Sequence, residues 1–145
     1  MSLTINQDVF PLAQVFTISR GSRTEAKVLS VKISRDGVSG WGECVPYARY
    51  NETAASVSAQ IESLPDAFDR QGLYELLPPG AARNAVDCAL WDLEAKQSGL
   101  RVWQLAGLPT PGPEITAYTL SLDSPENMRA QAAEHAHRPL LKIKL

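Results

Sequence analysis

The chain has 145 residues, with 14 basic and 16 acidic side chains and a net charge of −2. Its 44% apolar and 21% charged content is that of a folded domain and excludes global disorder, while the near-even charge offers no broad basic surface for nucleic acid. No apolar run approaches the roughly 20 residues that cross a bilayer, and the opening MSLTINQDVF has neither the basic nor the apolar part of a leader, so the expectation is a soluble, cytoplasmic protein with no membrane partner.

Residues Leu3 to Ser19 show imperfect period-two alternation. Ala26 to Ser34 reads AKVLSVKIS, with Leu29, Val31 and Ile33 on one face and Val28, Ser30 and Lys32 on the other. Asp36-Gly37 then joins this run to Val38–Glu43, and such a pair supplies the positive φ that a two-residue hairpin needs. A three-stranded antiparallel meander is predicted. Between its first two strands, Arg20-Gly21-Ser22-Arg23-Thr24 reads as a glycine-hinged polar loop of the kind that closes over ligands.

After Pro46 the period becomes helical. A helix capped by Asn51 or Thr53 runs through Ala55, Val57, Ile61 and Leu64 and ends before Pro65. The strongest helix follows Pro78-Pro79-Gly80: Ala82, Val86, Ala89, Leu90 and Leu93 form its apolar stripe, and Gly99 sits where a C-terminal cap belongs. A short turn at Val102–Leu105 and a proline-rich stretch, Leu108 to Pro113, mark a linker. Beyond it come a strand at Ile115–Leu120, a helix from Ser124 to about Ala136 and a strand at Leu140–Leu145, the β-α-β unit of a parallel sheet or barrel. Ser124-Pro125-Glu126 provides that helix with a cap, a first-turn proline and a first-turn acid. The pattern predicts an α+β domain over 1–113 and the opening of an α/β domain over 114–145, whose remaining strands lie beyond this sequence.

In Leu141-Lys142-Ile143-Lys144-Leu145, period two places Lys142 and Lys144 on one face. Two ammonium groups that repel each other favour the neutral amine a general base requires, and inward side chains near strand ends form the floor of a barrel's active site. On these five residues alone, the commoner reading is an edge strand that uses lysine against aggregation. Arg20 and Arg23, on these residues alone, likewise read as part of a solvated loop. Cys44 and Cys88 lack metal-ligand spacing and read as buried reduced thiols. Glu134-His135-Ala136-His137 sits at a helix end, where i,i+2 side chains diverge, and reads as solvated. Glu43 reads as structural, and Trp91 with Asp92 as core packing beside an outward acid.

Five segments together resemble the enolase superfamily, and within it the dipeptide epimerases of the L-Ala-D/L-Glu type: ISRGSRTEA (18–26), GWGECVPYARYNET (40–53), GAARNAVDCALWDLEAKQSG (80–99), TAYTLSLDSPENM (116–128) and LLKIKL (140–145). The resemblance spans nearly the whole chain. It implies an α+β capping domain joined to the first β-α-β of a modified TIM barrel, and the removal of an α-proton next to a carbonyl with its return to the opposite face. It further implies Lys144 as one of two acid/base lysines, Lys142 as its supporting neighbour, Thr119 as a pocket-lining residue, and Arg20 or Arg23 reaching toward a substrate carboxylate. Mg²⁺ is the implied cofactor, with no metal ligand in this chain, a small dipeptide is the implied substrate, and a homo-oligomer the implied assembly. A muconate-type cycloisomerase, an o-succinylbenzoate synthase or an acid-sugar dehydratase uses the same scaffold, and a stand-alone capping fragment that binds carboxylates is the non-catalytic alternative. A second lysine and acidic strand ends beyond Leu145 would distinguish the epimerase.

Overall fold

The computed structural model describes residues 1–144. Contacts divide the chain into two compact units: Met1–Val9 with Lys27–Thr110, and Phe10–Ala26 with Pro111–Leu145. Residue 145, the end of the expected last strand, lies outside the described residues.

Three strands, β1 (Ser2–Ile18), β2 (Gly21–Arg35) and β3 (Val38–Cys44), form a sheet in the order β1-β2-β3. The β2–β3 pair is antiparallel, from Leu29 opposite Cys44 to Arg35 opposite Val38. Asp36 (φ 52°) and Gly37 (φ 78°) make its turn as the sequence requires. β2 outruns its expected limits, because the polar segment 20–24 is no open loop: Ser19 and Arg20 turn the chain, and β2 begins at Gly21. Gly21 has φ 138°, open only to glycine.

In the first unit, Leu29, Val31 and Ile33 of β2 are buried beneath the helices. Helix α1 (Ala54–Glu62) starts at Thr53, whose side chain accepts from Ser56 N–H while the Ser56 hydroxyl accepts from Thr53 N–H. Helix α2 (Arg70–Leu76), which the pattern does not announce, is capped by Asp69 and buries Leu73. Helix α3 (Ala81–Ser98) buries the expected stripe, Ala82, Val86, Ala89, Leu90 and Leu93, together with Ala85. A short α4 (Val102–Leu105) follows, and residues 108–117 carry no helix or strand.

The approach of α3 to β3 is unusually close. A Cβ added at Gly42 would lie 2.0 Å from the Ala85 carbonyl oxygen, and one at Gly40 2.1 Å from that of Ala89. Polar side chains of α3 then bind the backbone of this edge strand: Trp41 N–H donates to Asp92 (2.8 Å), Lys96 donates to the Ser39 carbonyl (3.1 Å), and the Asn84 amide donates to the Glu43 carbonyl (3.4 Å). Asp92 is therefore no outward acid. It accepts a strand N–H and pairs with Lys96 at 2.6 Å. Trp91 is only half-buried, stacked by the Arg70 guanidinium at 3.5 Å, with Arg70 also paired to Glu94. The α3 N-terminus is capped from outside the helix: Glu52 accepts the Ala81 N–H (2.7 Å) with one oxygen and the Tyr47 N–H (3.1 Å) with the other.

The second unit contains the distal part of the β1–β2 hairpin, β4 (Tyr118–Leu120), helix α5 (Pro125–Glu134) and β5 (Leu141–Ile143). β4 and β5 pair in parallel, as the β-α-β reading requires, although both strands are shorter than expected. Ser124 caps α5, Pro125 opens it, and the Asp123 carboxyl accepts from the Asn127 side chain and from Ser124 N–H; the first of these and then the second hold it below the usual carboxylate range.

Two expectations follow. Gly42→Ala forces backbone against backbone, so denaturant unfolding should show a loss of at least about 3 kcal/mol or no folded protein, and wild-type stability would contradict the packing described. The two thiols are both free, but only Cys44 is buried, whereas Cys88 lies on the exposed side of α3. Burial first, and then the Glu52 and Glu43 charges, push Cys44 up to about 11 from 9.0. Folding thus disfavours the Cys44 thiolate: its contribution to stability is intact below the unfolded thiol's pKa and is lost as pH rises through the folded value. Alkylation followed by mass spectrometry at pH 8 should modify Cys88 and spare Cys44 until the chain unfolds.

Candidate functional site

The expected site residues all fall in the second unit. Its hairpin arm is a two-stranded ribbon with β1 residues 10–18 on one side and β2 residues from Gly21 on the other. Arg20 stands on the turn itself, exposed. Arg23 is two residues into β2, and its guanidinium carbon lies 6.0 Å from the centroid of the Phe16 ring.

Thr119 lies at the centre of β4, and the parallel register places Lys142 of β5 directly beside it. Register partners in adjacent strands present their side chains to the same face, so Thr119 and Lys142 share one side of this short sheet. Lys144 follows directly after the end of β5. Lys142 is exposed and Lys144 half-buried among the described residues.

A hollow of about 340 Å³ joins the two arms, its walls including Leu12, Gln14, Phe16, Arg23, Tyr118 and Thr119. Arg23 is the charged member of this lining, and Arg20 is not part of it. A guanidinium above apolar and aromatic walls suits a carboxylate carried on a short aliphatic stem, because the fork makes two parallel charge-assisted bonds while the stem stays dry. Larger hollows in the first unit, about 420 Å³ beside Leu3 and Ile61 and about 850 Å³ beside Arg35 and Phe68, contain none of the expected site residues.

Behind the pocket, the Tyr118 ring is contacted by the His135 imidazole (centroids 4.1 Å apart) and by the Arg138 guanidinium (4.2 Å). His135 is thus half-buried against an aromatic ring rather than solvated, and its Nδ1 is buried without a partner. His137 remains exposed, its ring 6.2 Å from that of His135. No group of three or more His, Cys, Asp or Glu side chains converges among the described residues, and the residues present do not fit a divalent cation. Nor is any helix among them long and apolar enough to cross a membrane.

Sequence reasoning missed one feature. The Ser121 side chain, 7% exposed, accepts the Thr17 N–H at 2.8 Å, and Leu122 N–H donates to the Thr17 carbonyl at 3.0 Å. A single serine after a short strand gives no pattern to read.

Comparison with known proteins agrees with this architecture. The family described as "Mandelate racemase / muconate lactonizing enzyme, N-terminal domain" matches residues 1–107. An L-Ala-D/L-Glu epimerase of Escherichia coli (strain K12) is 43% identical over 99% of this chain and 47% of its own length. An N-acetyl-D-glutamate racemase of a Pseudoalteromonas species is 44% identical over 73% of this chain and 35% of its own. The crystal structure of an enolase family member from Agrobacterium tumefaciens with homology to dipeptide epimerases, with bound sodium, L-Ala-L-Glu and an ordered loop, superposes with a TM-score of 0.92 at 52% identity, over 98% of this chain and 45% of that one. Other similar structures hold magnesium beside a dipeptide. The chain spans about half the length of the curated relatives it matches.

Proposed function

The chain belongs to the mandelate racemase / muconate lactonizing enzyme family, and from that premise we propose that the whole protein is a cytoplasmic, magnesium-dependent epimerase of small dipeptides such as L-Ala-L-Glu. Residues 1–113 serve as its capping domain and 114–145 as the first strands and helix of its barrel. The observation that carries this reading is the single pocket shared by Arg23 and Thr119, with Lys142 in register beside Thr119.

Within it, Arg23 grips the carboxylate of the substrate's acidic side chain, and the apolar wall at Leu12 and Phe16 packs the stem. Thr119 limits the depth of the pocket. The Lys144 amine removes the α-proton of the second residue, breaking the C–H bond and becoming an ammonium while the carbonyl becomes an enolate. The positive charge of Lys142 stands beside it and favours the developing negative charge. A base on the opposite face, outside this chain, returns a proton to complete the inversion. Magnesium, where bound, would likewise be held by residues outside this chain.

The curated racemase relative supports a second reading, in which the acyl group on glutamate is acetyl rather than alanyl. Both substrates bring the same glutamate side chain to Arg23 and differ only at the acyl end.

In the full-length protein, Lys144→Ala should slow exchange of the substrate α-proton in deuterium oxide by at least about 100-fold. Exchange near the wild-type rate would remove Lys144 from the reaction. Arg23→Gln should raise KM for L-Ala-L-Glu by about tenfold or more, the value of a charge-assisted hydrogen bond, while Arg20→Gln moves it less than about twofold. The reverse ranking would transfer the carboxylate contact to the turn, and a faster reaction with N-acetylglutamate than with L-Ala-L-Glu would favour the racemase.

A further inference from the structure

The Arg23 guanidinium carbon lies 6.0 Å from the centroid of the Phe16 ring. Arg23 is carried by a two-stranded ribbon, a form of structure that is marginal alone in water. Three hydrogen bonds converge on one residue of that ribbon. Thr17 donates its N–H to the Ser121 hydroxyl (2.8 Å), accepts from Leu122 N–H at its carbonyl (3.0 Å), and shares a hydroxyl bond with Ser22 (2.8 Å), the residue immediately before Arg23. Ser121 and Leu122 follow directly on β4, which carries Thr119. The two walls of the pocket are thus joined through Thr17.

We propose that Ser121 is a positioning residue for the substrate's acidic side chain: by accepting the Thr17 N–H, its hydroxyl fixes the distance between Arg23 on the hairpin and Thr119 on β4. The inference rests on the reading of Arg23 as the carboxylate contact. Three observations support it. The Ser121 side chain is among the few buried polar groups, at 7% exposure. Its partner is 104 residues away, so the bond has no local role in a turn or cap. Serine is also suited to the place, since its hydroxyl accepts from Thr17 N–H and still has a proton to aim at the Val15 (3.4 Å) or Thr17 (3.5 Å) carbonyl. Removing the acceptor leaves a strand N–H unpaired and frees the ribbon to move, and a loosely held guanidinium loses much of its value to a bound carboxylate.

The test compares Ser121→Ala, Ser121→Thr and Arg23→Gln in the full-length enzyme, with L-Ala-L-Glu and L-Ala-L-Leu as probes and amide hydrogen exchange at Thr17 as a readout independent of turnover. Ser121→Ala should raise KM for L-Ala-L-Glu by about fivefold, the value of one neutral hydrogen bond, with KM for L-Ala-L-Leu changed by less than about twofold. The effect should vanish when Arg23 is already glutamine. Exchange at Thr17 should accelerate, and Ser121→Thr, which keeps the hydroxyl, should restore both readouts. Equal losses on the two dipeptides, or unchanged exchange at Thr17, would overturn the proposal by reducing Ser121 to a packing residue or to none. If Arg23→Gln itself leaves KM for L-Ala-L-Glu unaltered, the carboxylate reading fails first and takes the positioning role with it, whereas a strong Arg23→Gln effect with a silent Ser121→Ala refutes the positioning role alone. Should Ser121→Ala not fold, Ser121→Cys, which keeps the size but weakens the acceptor, gives the same comparison.

Discussion

The first unit is organised by a contact without side chains: β3 meets α3 at Gly40 and Gly42, where the carbonyls of Ala89 and Ala85 occupy the space that any Cβ would need. So close an approach lets the polar side chains of Asn84, Asp92 and Lys96 reach past the helix to the strand's own N–H and carbonyl groups. The outer edge of β3 is thereby closed by a helix rather than by another strand, which protects it from pairing with other chains. It also fixes where α3 must start, and Glu52 supplies the missing acceptor there. Much of the motif-rich wording of the sequence, GWGEC, YNET and AARNAVDCALWD, is accounted for by this one junction. Its residues hold a helix against a strand and take no part in the pocket.

The second unit follows a different logic. It has few buried side chains, Leu120 and Ser121 being the clearest, and its two arms are short strands and a ribbon. Its arrangement depends on register and hydrogen bonding more than on apolar burial. Thr119 and Lys142 are placed by strand pairing, and Arg23 by the bonds at Thr17.

Much of the fold was legible because burial repeats. The alternation of Leu29, Val31 and Ile33, the stripe from Ala82 to Leu93, the Asp36-Gly37 turn and the Ser124-Pro125 cap each show their physical cause within a few residues. Helix α2 was not legible, since seven residues that bury one side chain produce no period. The segment Arg20–Thr24 looked like a loop because a ribbon exposed on both faces has no apolar side to alternate. Asp92 and Trp91 were misjudged because their partners, Trp41 and Arg70, are fixed only by the tertiary packing of α3, and Cys88 because a thiol carries no mark of which helix face it occupies. For the site, spacing placed the two lysines on one face, while Arg23 and Thr119 became candidates only through resemblance. Their meeting in one pocket, and the role of Ser121, depend on contacts about a hundred residues apart that no local pattern records.

That separation has a consequence for how the chain is made. The first unit is nearly contiguous in sequence, but the second joins residues 10–26 to residues 111–145. On the ribosome the hairpin emerges early, and its partner, 104 residues downstream at the Thr17–Ser121 bond, follows only after about 5–20 s of synthesis at ordinary elongation rates. During that interval the ribbon, with Phe10 and Val15 exposed even in the finished fold, waits without its docking strand. The proline at position 11 lies in this part of β1, and with no N–H to offer it interrupts the row of donors on which a neighbouring nascent chain would otherwise build a strand.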